Sequence, residues 1–267
     1  MESLDSICHE VCTLSKETGN FIRQQQKSFS ASSIENKGFN DLVSYVDIQS
    51  EKMLVDGIKK ILPGSGFITE EETATVHGKE FQWIIDPLDG TTNFVHGVPC
   101  YCISIALLQN KKTVLGVIYE INLDECFYAW KDSPAYLNGN EIKVSSIDKL
   151  KNALLATGFP YTNFDRMKPY MEVFDWCMKN THGLRRLGSA AVDLAYVAAG
   201  RFEGFYEYGL NAWDVAAGAF IIERAGGKVS DFSGGDNFLF GKEIIATNEK
   251  VFTEFSTVIK INFKNHE

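Results

Sequence analysis

Long apolar runs are missing from this chain. No segment approaches the roughly 18 to 20 consecutive apolar residues that a membrane-spanning helix needs. Residues 3–26 instead alternate apolar side chains with charged ones. This pattern predicts an amphipathic helix and not a signal peptide, and we expect no membrane partner.

Basic residues are too few to form an extended surface for nucleic acid. The chain has 26 Lys and Arg against 35 Asp and Glu, which gives a formal net charge of −9. Affinity for nucleic acid depends on clustered cations that displace counterions from the phosphates. We therefore expect a small-molecule partner and no nucleic acid.

The six cysteines lack the spacing of a metal or redox site, because none forms a Cys-x-x-Cys pair or a zinc-ribbon pattern. Cys8 and Cys12 lie one helical turn apart, and Cys100 and Cys102 lie on one face of a predicted strand. Small buried core residues show the same patterns, so we assign the cysteines no chemistry. Reduced thiols are typical of the cytoplasm, where we expect this protein.

The length of 267 residues and the hydrophobic content of 45% allow one large core or two tightly joined halves. The element pattern predicts an α+β fold with an N-terminal α+β half (1–150) and a C-terminal α/β half (151–267). Helices are expected at 3–26, from about Asp47 as a cap, at 167–179, 189–199 and 214–225, and at the C-terminal end. Strands are expected at 81–85, 101–108, 114–121, 125–130, 153–157, 183–187, 203–208 and 241–247, the second to fourth as an antiparallel meander.

An acidic motif, Asp86-Pro87-Leu88-Asp89-Gly90, follows the apolar run at 83–85. Pro87 restricts the backbone and Gly90 permits close approach, so one loop offers carboxylates for a metal and N–H groups for an anion. Such a segment alone is typical of an ordinary turn. Three further blocks also place acids at the edges of apolar elements, at 41–47, 67–71 and 213–218.

Together these four blocks resemble the inositol monophosphatase family. The resemblance covers most of the chain and includes the segments 137–139, 157–160, 188–191 and 226–227. It implies a layered α-β-α-β-α sandwich of the inositol monophosphatase and fructose-1,6-bisphosphatase type, a homodimer and inhibition by lithium. The segment Thr92-Asn93-Phe94 favours the monophosphatase branch of this superfamily over the nucleotidase branch.

Acids that converge in this way need cations. Two carboxylates about 4 Å apart repel each other by roughly 4 kcal/mol at an effective dielectric of about 20. The ligand set implied by the resemblance is Glu70, Asp86 and the Leu88 carbonyl for a first ion, and Asp86, Asp89 and Asp214 for a second. Because all these ligands are oxygens, we expect two or three Mg²⁺ ions, with Mn²⁺ able to substitute.

The resemblance also implies the catalytic and substrate-binding residues. Thr91, paired with Asp47, would help Glu70 to orient and deprotonate the attacking water, although Asp47 could also be a simple helix cap. The residues implied to bind phosphate or the leaving group are Gly90, Thr91, Gly188, Ser189, Ala190 and Glu207.

Two positions qualify the resemblance. The family usually has Gly before its Glu-Glu pair, whereas Thr69 precedes Glu70 here. If that Gly serves an unusual backbone angle, the geometry of the first metal site would differ. Lys37 matches a lysine of a mobile loop near the family's site, or it is an ordinary surface lysine.

These features predict a phosphoric monoester hydrolase that acts on a small phosphorylated polyol, inositol monophosphate above all. The alternatives on the same fold are 3′-phosphoadenosine 5′-phosphate, fructose 1,6-bisphosphate, histidinol phosphate and NADP. An alternative from another class is a regulatory binding protein that retains the fold.

Overall fold

A computed structural model describes residues 3–28, 34–38, 41–74, 78, 80–161 and 163–264. The helices are α1 (Leu4–Ser28), α2 (Tyr45–Ile61), α3 (Thr91–His96), α4 (Met167–Asn180), α5 (Ala190–Ala198), α6 (Ala212–Arg224) and α7 (Phe252–Lys264). The strands are β1 (Ile34–Gly38), β2 (Asp41–Ser44), β3 (Gly66–Thr69), β4 (Phe81–Asp89), β5 (Cys102–Gln109), β6 (Lys112–Glu120), β7 (Glu125–Trp130), β8 (Ala135–Leu137), β9 (Asn140–Ile142), β10 (Leu154–Thr157), β11 (Gly183–Arg185), β12 (Gly204–Tyr208), β13 (Gly227–Ser230) and β14 (Glu243–Asn248).

The strands form two large sheets and one hairpin, which β1 and β2 make. Strands β3 to β9 form a seven-stranded sheet in chain order, in which only β3 and β4 pair in parallel. The predicted meander is therefore confirmed. The second sheet has the order β11-β10-β12-β14-β13, with β10 parallel to both of its neighbours.

Helices and sheets alternate in five layers. Helices α1 and α2 pack on one face of the seven-stranded sheet, and α4 and α7 pack on the outer face of the second sheet. Helices α5 and α6 lie between the two sheets, where small buried residues such as Ala191 and Ala217 let both sheets approach them. The predicted α-β-α-β-α sandwich is confirmed, while the division near residue 150 stays a prediction.

Other features of the fold bear on the sequence predictions. Within the described part of the chain, no helix is long and apolar enough to cross a membrane. The cysteines are free, and each is buried or half-buried, as expected of core residues.

Two helices begin earlier than predicted, for the same physical reason. Helix α2 starts at Tyr45 and its cap is Ser44, so the prediction of Asp47 as the cap is wrong. Asp47 lies at the third helical position, where its Oδ2 accepts the Ser44 N–H at 2.9 Å and closes a capping box. Asp214 has the same position in α6, where its Oδ2 accepts the Asn211 N–H at 2.6 Å.

Strand β4 continues through the acidic motif instead of ending at Ile85. Its pairing with β5 shifts register between Asp86 and Asp89. This irregularity is where Pro87, which has no N–H for the ladder, interrupts the strand. Gly90 then adopts a φ of +96° and begins helix α3, which the sequence did not predict.

Candidate metal and phosphate site

A cavity of about 360 Å³ opens where the end of β4 meets α5, α6 and β12. Every predicted site residue except Asp47 lines it. These lining residues are Glu70, Asp86, Leu88, Asp89, Gly90, Thr91, Gly188, Ser189, Ala190, Glu207 and Asp214. The fold therefore gathers segments that are distant in the sequence into one site.

Asp86, Asp89 and Asp214 form the acidic centre of this cavity. Each offers one carboxylate oxygen, and the three oxygens lie within 4.8 Å of one another. Residues three apart on a regular strand point to opposite faces of the sheet. The register shift in β4 removes that alternation and brings Asp86 and Asp89 to the same side.

One oxygen of each aspartate is held by a local hydrogen bond. Oδ1 of Asp86 accepts the Leu88 N–H at 2.9 Å, and Asp214 is held by its capping box. Oδ2 of Asp89 accepts from Ser189 Oγ at 2.6 Å and from the Ala191 N–H at 2.7 Å. These bonds fix the carboxylates and leave the second oxygen of each for another ligand.

Burial raises the pKa of every acid in the centre of the cavity. The pKa of Asp89 rises to about 6 and that of Asp214 to about 7. Burial and the Asp214 charge raise the pKa of Glu70, and burial and the Glu70 charge raise that of Asp86. A divalent cation would relieve this repulsion, and the oxygen-only donor set fits such an ion.

Asp47 reaches the cavity through Thr91. Oγ1 of Thr91 lies 2.9 Å from Oδ1 of Asp47 and 3.0 Å from the carbonyl oxygen of Leu88. Oδ2 of Asp47 accepts both the N–H and the hydroxyl of Ser44. Asp47 is therefore not the cap of α2 but the third-position acid of its capping box, and its other oxygen accepts a hydrogen bond from Thr91.

Glu207 also lines the cavity; it is 5% exposed, and burial raises its pKa. A Cβ atom on residue 158 would lie 2.0 Å from Oε2 of Glu207, so only Gly158 leaves room for this carboxylate. At the cavity mouth, Nη2 of Arg186 donates to the Tyr161 hydroxyl at 2.9 Å. Its guanidinium also lies 5.5 Å from the centre of the Phe159 ring.

Thr69 fits the backbone where the family usually has Gly. It is the last residue of β3, paired with Ile85, and it is not among the described residues with positive φ. The next N–H, that of Glu70, donates to the Ile85 carbonyl at 3.3 Å. The Thr side chain therefore imposes no strain on the Glu70 position. The side chain of Lys37 lies outside the described part of the chain, so its role stays a prediction.

Sequence reasoning missed several residues that line the cavity. Gly158 and Phe159 belong to a segment that supported the resemblance, but their position beside Glu207 depends on the packing of two strands. Asp193 had a local signal, because it is the only acid in the apolar helix α5. That signal alone predicts no role.

This chain is similar to known proteins over nearly its whole length. The model of the inositol monophosphatase family matches residues 3–260. The chain belongs to this family. Its architecture is accordingly that of solved inositol monophosphatases: the Thermotoga maritima IMPase aligns with a TM-score of 0.86 and 35% identity, over 96% of this chain and 97% of that one.

Two further relatives of this inositol monophosphatase family member have names from genetics and transcription. The extragenic suppressor protein suhB of Bartonella henselae has a structure with a TM-score of 0.91 and 36% identity, over 96% of this chain and 98% of that one. The putative Nus factor SuhB of Neisseria meningitidis is 40% identical over 247 residues, which cover 91% of this chain and 94% of that protein.

Proposed function

We propose that this chain is a Mg²⁺-dependent phosphatase that hydrolyses the phosphate monoester of a small polyol, inositol monophosphate above all. The observation that carries the proposal is the convergence of Asp86, Asp89 and Asp214 within 4.8 Å in one cavity. The family and its fold support phosphate ester hydrolysis. The donor set of oxygens supports Mg²⁺, with Mn²⁺ as a substitute.

The aspartates and their neighbours would hold the metal ions. Glu70, Asp86 and the Leu88 carbonyl would bind one ion, and Asp86, Asp89 and Asp214 another. When bound, divalent ions supply positive charge for the phosphate and lower the pKa of a nearby water. The chain's own contribution is rigidity, because local hydrogen bonds hold one oxygen of each aspartate in advance.

Glu70 would accept the proton of the attacking water, and Thr91, paired with Asp47, would help to orient that water. Asp47 accepts the hydroxyl proton of Thr91, which leaves lone pairs of Oγ1 directed elsewhere in the cavity. A water placed there can donate one hydrogen bond to Oγ1 while Glu70 takes up its other proton. The N–H groups of Gly90 and Thr91 would bind the phosphate, and Gly188, Ser189, Ala190 and Glu207 would surround the leaving group.

Phosphate release from inositol 1-phosphate tests the proposal. We expect a chelator to abolish release and Mg²⁺ to restore it. Asp86→Asn and Asp214→Asn should lose nearly all turnover while their circular dichroism stays that of the wild type. Normal turnover in either variant would reject the assignment of metal ligands. Lithium, which is expected to inhibit, provides an independent check.

The same assay ranks the alternative substrates of this fold. 3′-Phosphoadenosine 5′-phosphate, fructose 1,6-bisphosphate, histidinol phosphate and NADP should each give a lower kcat/KM than inositol 1-phosphate. A higher value for any of them would replace the proposed substrate and keep the proposed chemistry. A homodimer and a cytoplasmic location are part of the proposal, and light scattering in solution checks the first.

A second candidate function is a regulatory role in transcription. It is supported by relatives that have the name Nus factor SuhB, the Neisseria meningitidis protein among them. Affinity capture with the wild-type chain and with Asp214→Asn measures it. Equal capture of transcription proteins by both forms supports a role that does not need hydrolysis, and capture of none by either form argues against it.

A further inference from the structure

Asp193 is a buried acid that has no role in the metal and phosphate site described above. It lies in α5, is 1% exposed and lines the cavity. Among the described residues, its Oδ1 is buried and has no hydrogen-bond partner. Burial of a carboxylate without a partner disfavours the folded state. An acid at such a position therefore indicates that a hydrogen-bond donor other than the described residues binds it.

A purely structural role explains Asp193 poorly. An acid in the first turn of a helix does interact favourably with the helix dipole, but an exposed side chain obtains this benefit without the cost of burial. The cap of α5 is already complete, because Ser189 Oγ accepts the Val192 N–H at 3.2 Å. Among the described residues Arg186 forms no ion pair with Asp193, and its Nη2 donates to the Tyr161 hydroxyl instead.

Asp193 lines the same cavity as Glu207, the carboxylate proposed to lie beside the leaving group. Burial and the Asp89 charge raise the pKa of Asp193, and Arg186 lowers it. The charge of Asp193 is also the largest electrostatic contribution to the raised pKa of Glu207. Both acids therefore line one cavity, close enough for the Asp193 charge to act on Glu207.

We propose that Asp193 is a substrate-binding residue that accepts a hydrogen bond from a hydroxyl group of the leaving group, beside the hydroxyl that Glu207 accepts. The inference rests on the proposed phosphatase function and narrows its substrate class. Hydroxyl donors satisfy buried carboxylate oxygens, and two neighbouring acceptors match a polyol with at least two free hydroxyls near the ester. Phosphate esters without hydroxyls would not use this pair.

The test compares two substrates and three forms of the full chain in Mg²⁺. Inositol 1-phosphate presents hydroxyls, and p-nitrophenyl phosphate has none on its leaving group. We expect Asp193→Ala to raise KM for inositol 1-phosphate by about 10- to 100-fold, the effect of one hydrogen bond to a charged group. KM for p-nitrophenyl phosphate should stay within about twofold. Asp193→Asn, which retains an acceptor oxygen, should recover most of the loss.

A matched control separates binding from folding. Glu203 is also a buried acid, 6% exposed, but its Oε2 accepts the Leu154 N–H at 2.6 Å outside the cavity. Glu203→Gln should lower the melting temperature and leave the ratio of the two KM values unchanged. Asp193→Ala should not lower the melting temperature, because it removes an unpaired carboxylate and adds a stronger helix former.

Three outcomes overturn the inference or its foundation. Equal losses of Asp193→Ala on both substrates would mean that Asp193 acts on the metal centre. Unchanged kinetics on both would mean that it contacts no substrate. No phosphate release by the wild type from either ester would overturn the proposed function itself.

Discussion

Ser189 Oγ donates a hydrogen bond to Asp89 Oδ2 at 2.6 Å, across 100 positions of the chain. The resemblance to the family assigned Ser189 to the substrate side of the cavity. In the structure its hydroxyl is occupied on both sides, since it donates to Asp89 and accepts the Val192 N–H. Ser189 therefore lines the cavity and also holds Asp89, one of the proposed metal ligands.

This contact predicts the behaviour of Ser189→Ala. Loss of a residue that positions a metal ligand typically weakens metal affinity or activity by about 10- to 100-fold. We expect the Mg²⁺ concentration for half-maximal activity to rise, while KM for inositol 1-phosphate at saturating Mg²⁺ changes little. Titrations of Mg²⁺ and of substrate measure the two effects separately. A rise in KM for inositol 1-phosphate without a change in the Mg²⁺ requirement would indicate that Ser189 binds substrate and does not position Asp89.

The pairing of Thr91 with Asp47 predicts a loss in kcat. Thr91→Ala removes the hydroxyl that would assist the proton transfer and should lower kcat by about 10² to 10⁴-fold. Thr91→Ser keeps the hydroxyl and its 2.9 Å contact to Asp47, so it should retain most of the turnover. Steady-state kinetics at saturating Mg²⁺ decide the matter. If both variants turn over normally, the dyad has no part in catalysis.

The raised pKa values predict how the metal-free protein responds to pH. The pKa of Asp89 moves from 3.8 to about 6 and that of Asp214 from 3.8 to about 7. Between about pH 4 and pH 7 the folded state therefore binds more protons than the unfolded state, so this part of the stability is lost as pH rises. In chelator, we expect the melting temperature to fall from pH 5 to pH 8.

Two comparisons make this pH prediction specific to the acidic centre. Excess Mg²⁺ should remove most of the fall, because the cation binds the ionised acids of the folded state. Asp214→Asn in chelator should show a flatter profile, since it has one acid fewer to ionise. An identical slope in the wild type and Asp214→Asn would show that the pH response arises elsewhere in the chain.

Gly158 predicts a substrate effect transmitted through Glu207. In Gly158→Ala the new Cβ would lie 2.0 Å from Oε2, so the Glu207 carboxylate must move. We expect KM for inositol 1-phosphate to rise about tenfold, the order of one displaced hydrogen bond to a charged group. A double-mutant cycle provides the control. Adding Gly158→Ala to Glu207→Ala should cost nothing further, and additive losses would contradict this route.

The sequence predicted the architecture well because the apolar pattern is strong. Helix α4 was expected at 167–179 and spans Met167–Asn180, and β7 has the predicted limits. The layers followed from the family resemblance, and so did part of the set of residues that line the cavity. The predicted ends of the elements were less accurate. In α2 and α6 the acid of the capping box is the third helical residue, so each helix begins two residues before that acid.

The features that remained unpredicted depend on packing between distant segments. No local pattern shows that β4 shifts register and brings Asp86 and Asp89 to one side. The same is true of Gly158, whose lack of a side chain matters only because Glu207 lies against it. At Thr69 the sequence suggested a difficulty that the structure does not show. Its extended backbone needs no glycine, because its φ is not positive.

The acidic centre is divided between two layers of the sandwich: β4 supplies two aspartates, and α6, the helix between the sheets, supplies the third. A ribosome that has released only the first sheet has therefore made two of the three aspartates. On the proposed metal assignment, a complete set of ligands must await synthesis of α6, which ends at Arg224. No fragment that lacks either layer could hydrolyse phosphate esters by this route, and two inactive fragments could regain turnover only by docking together.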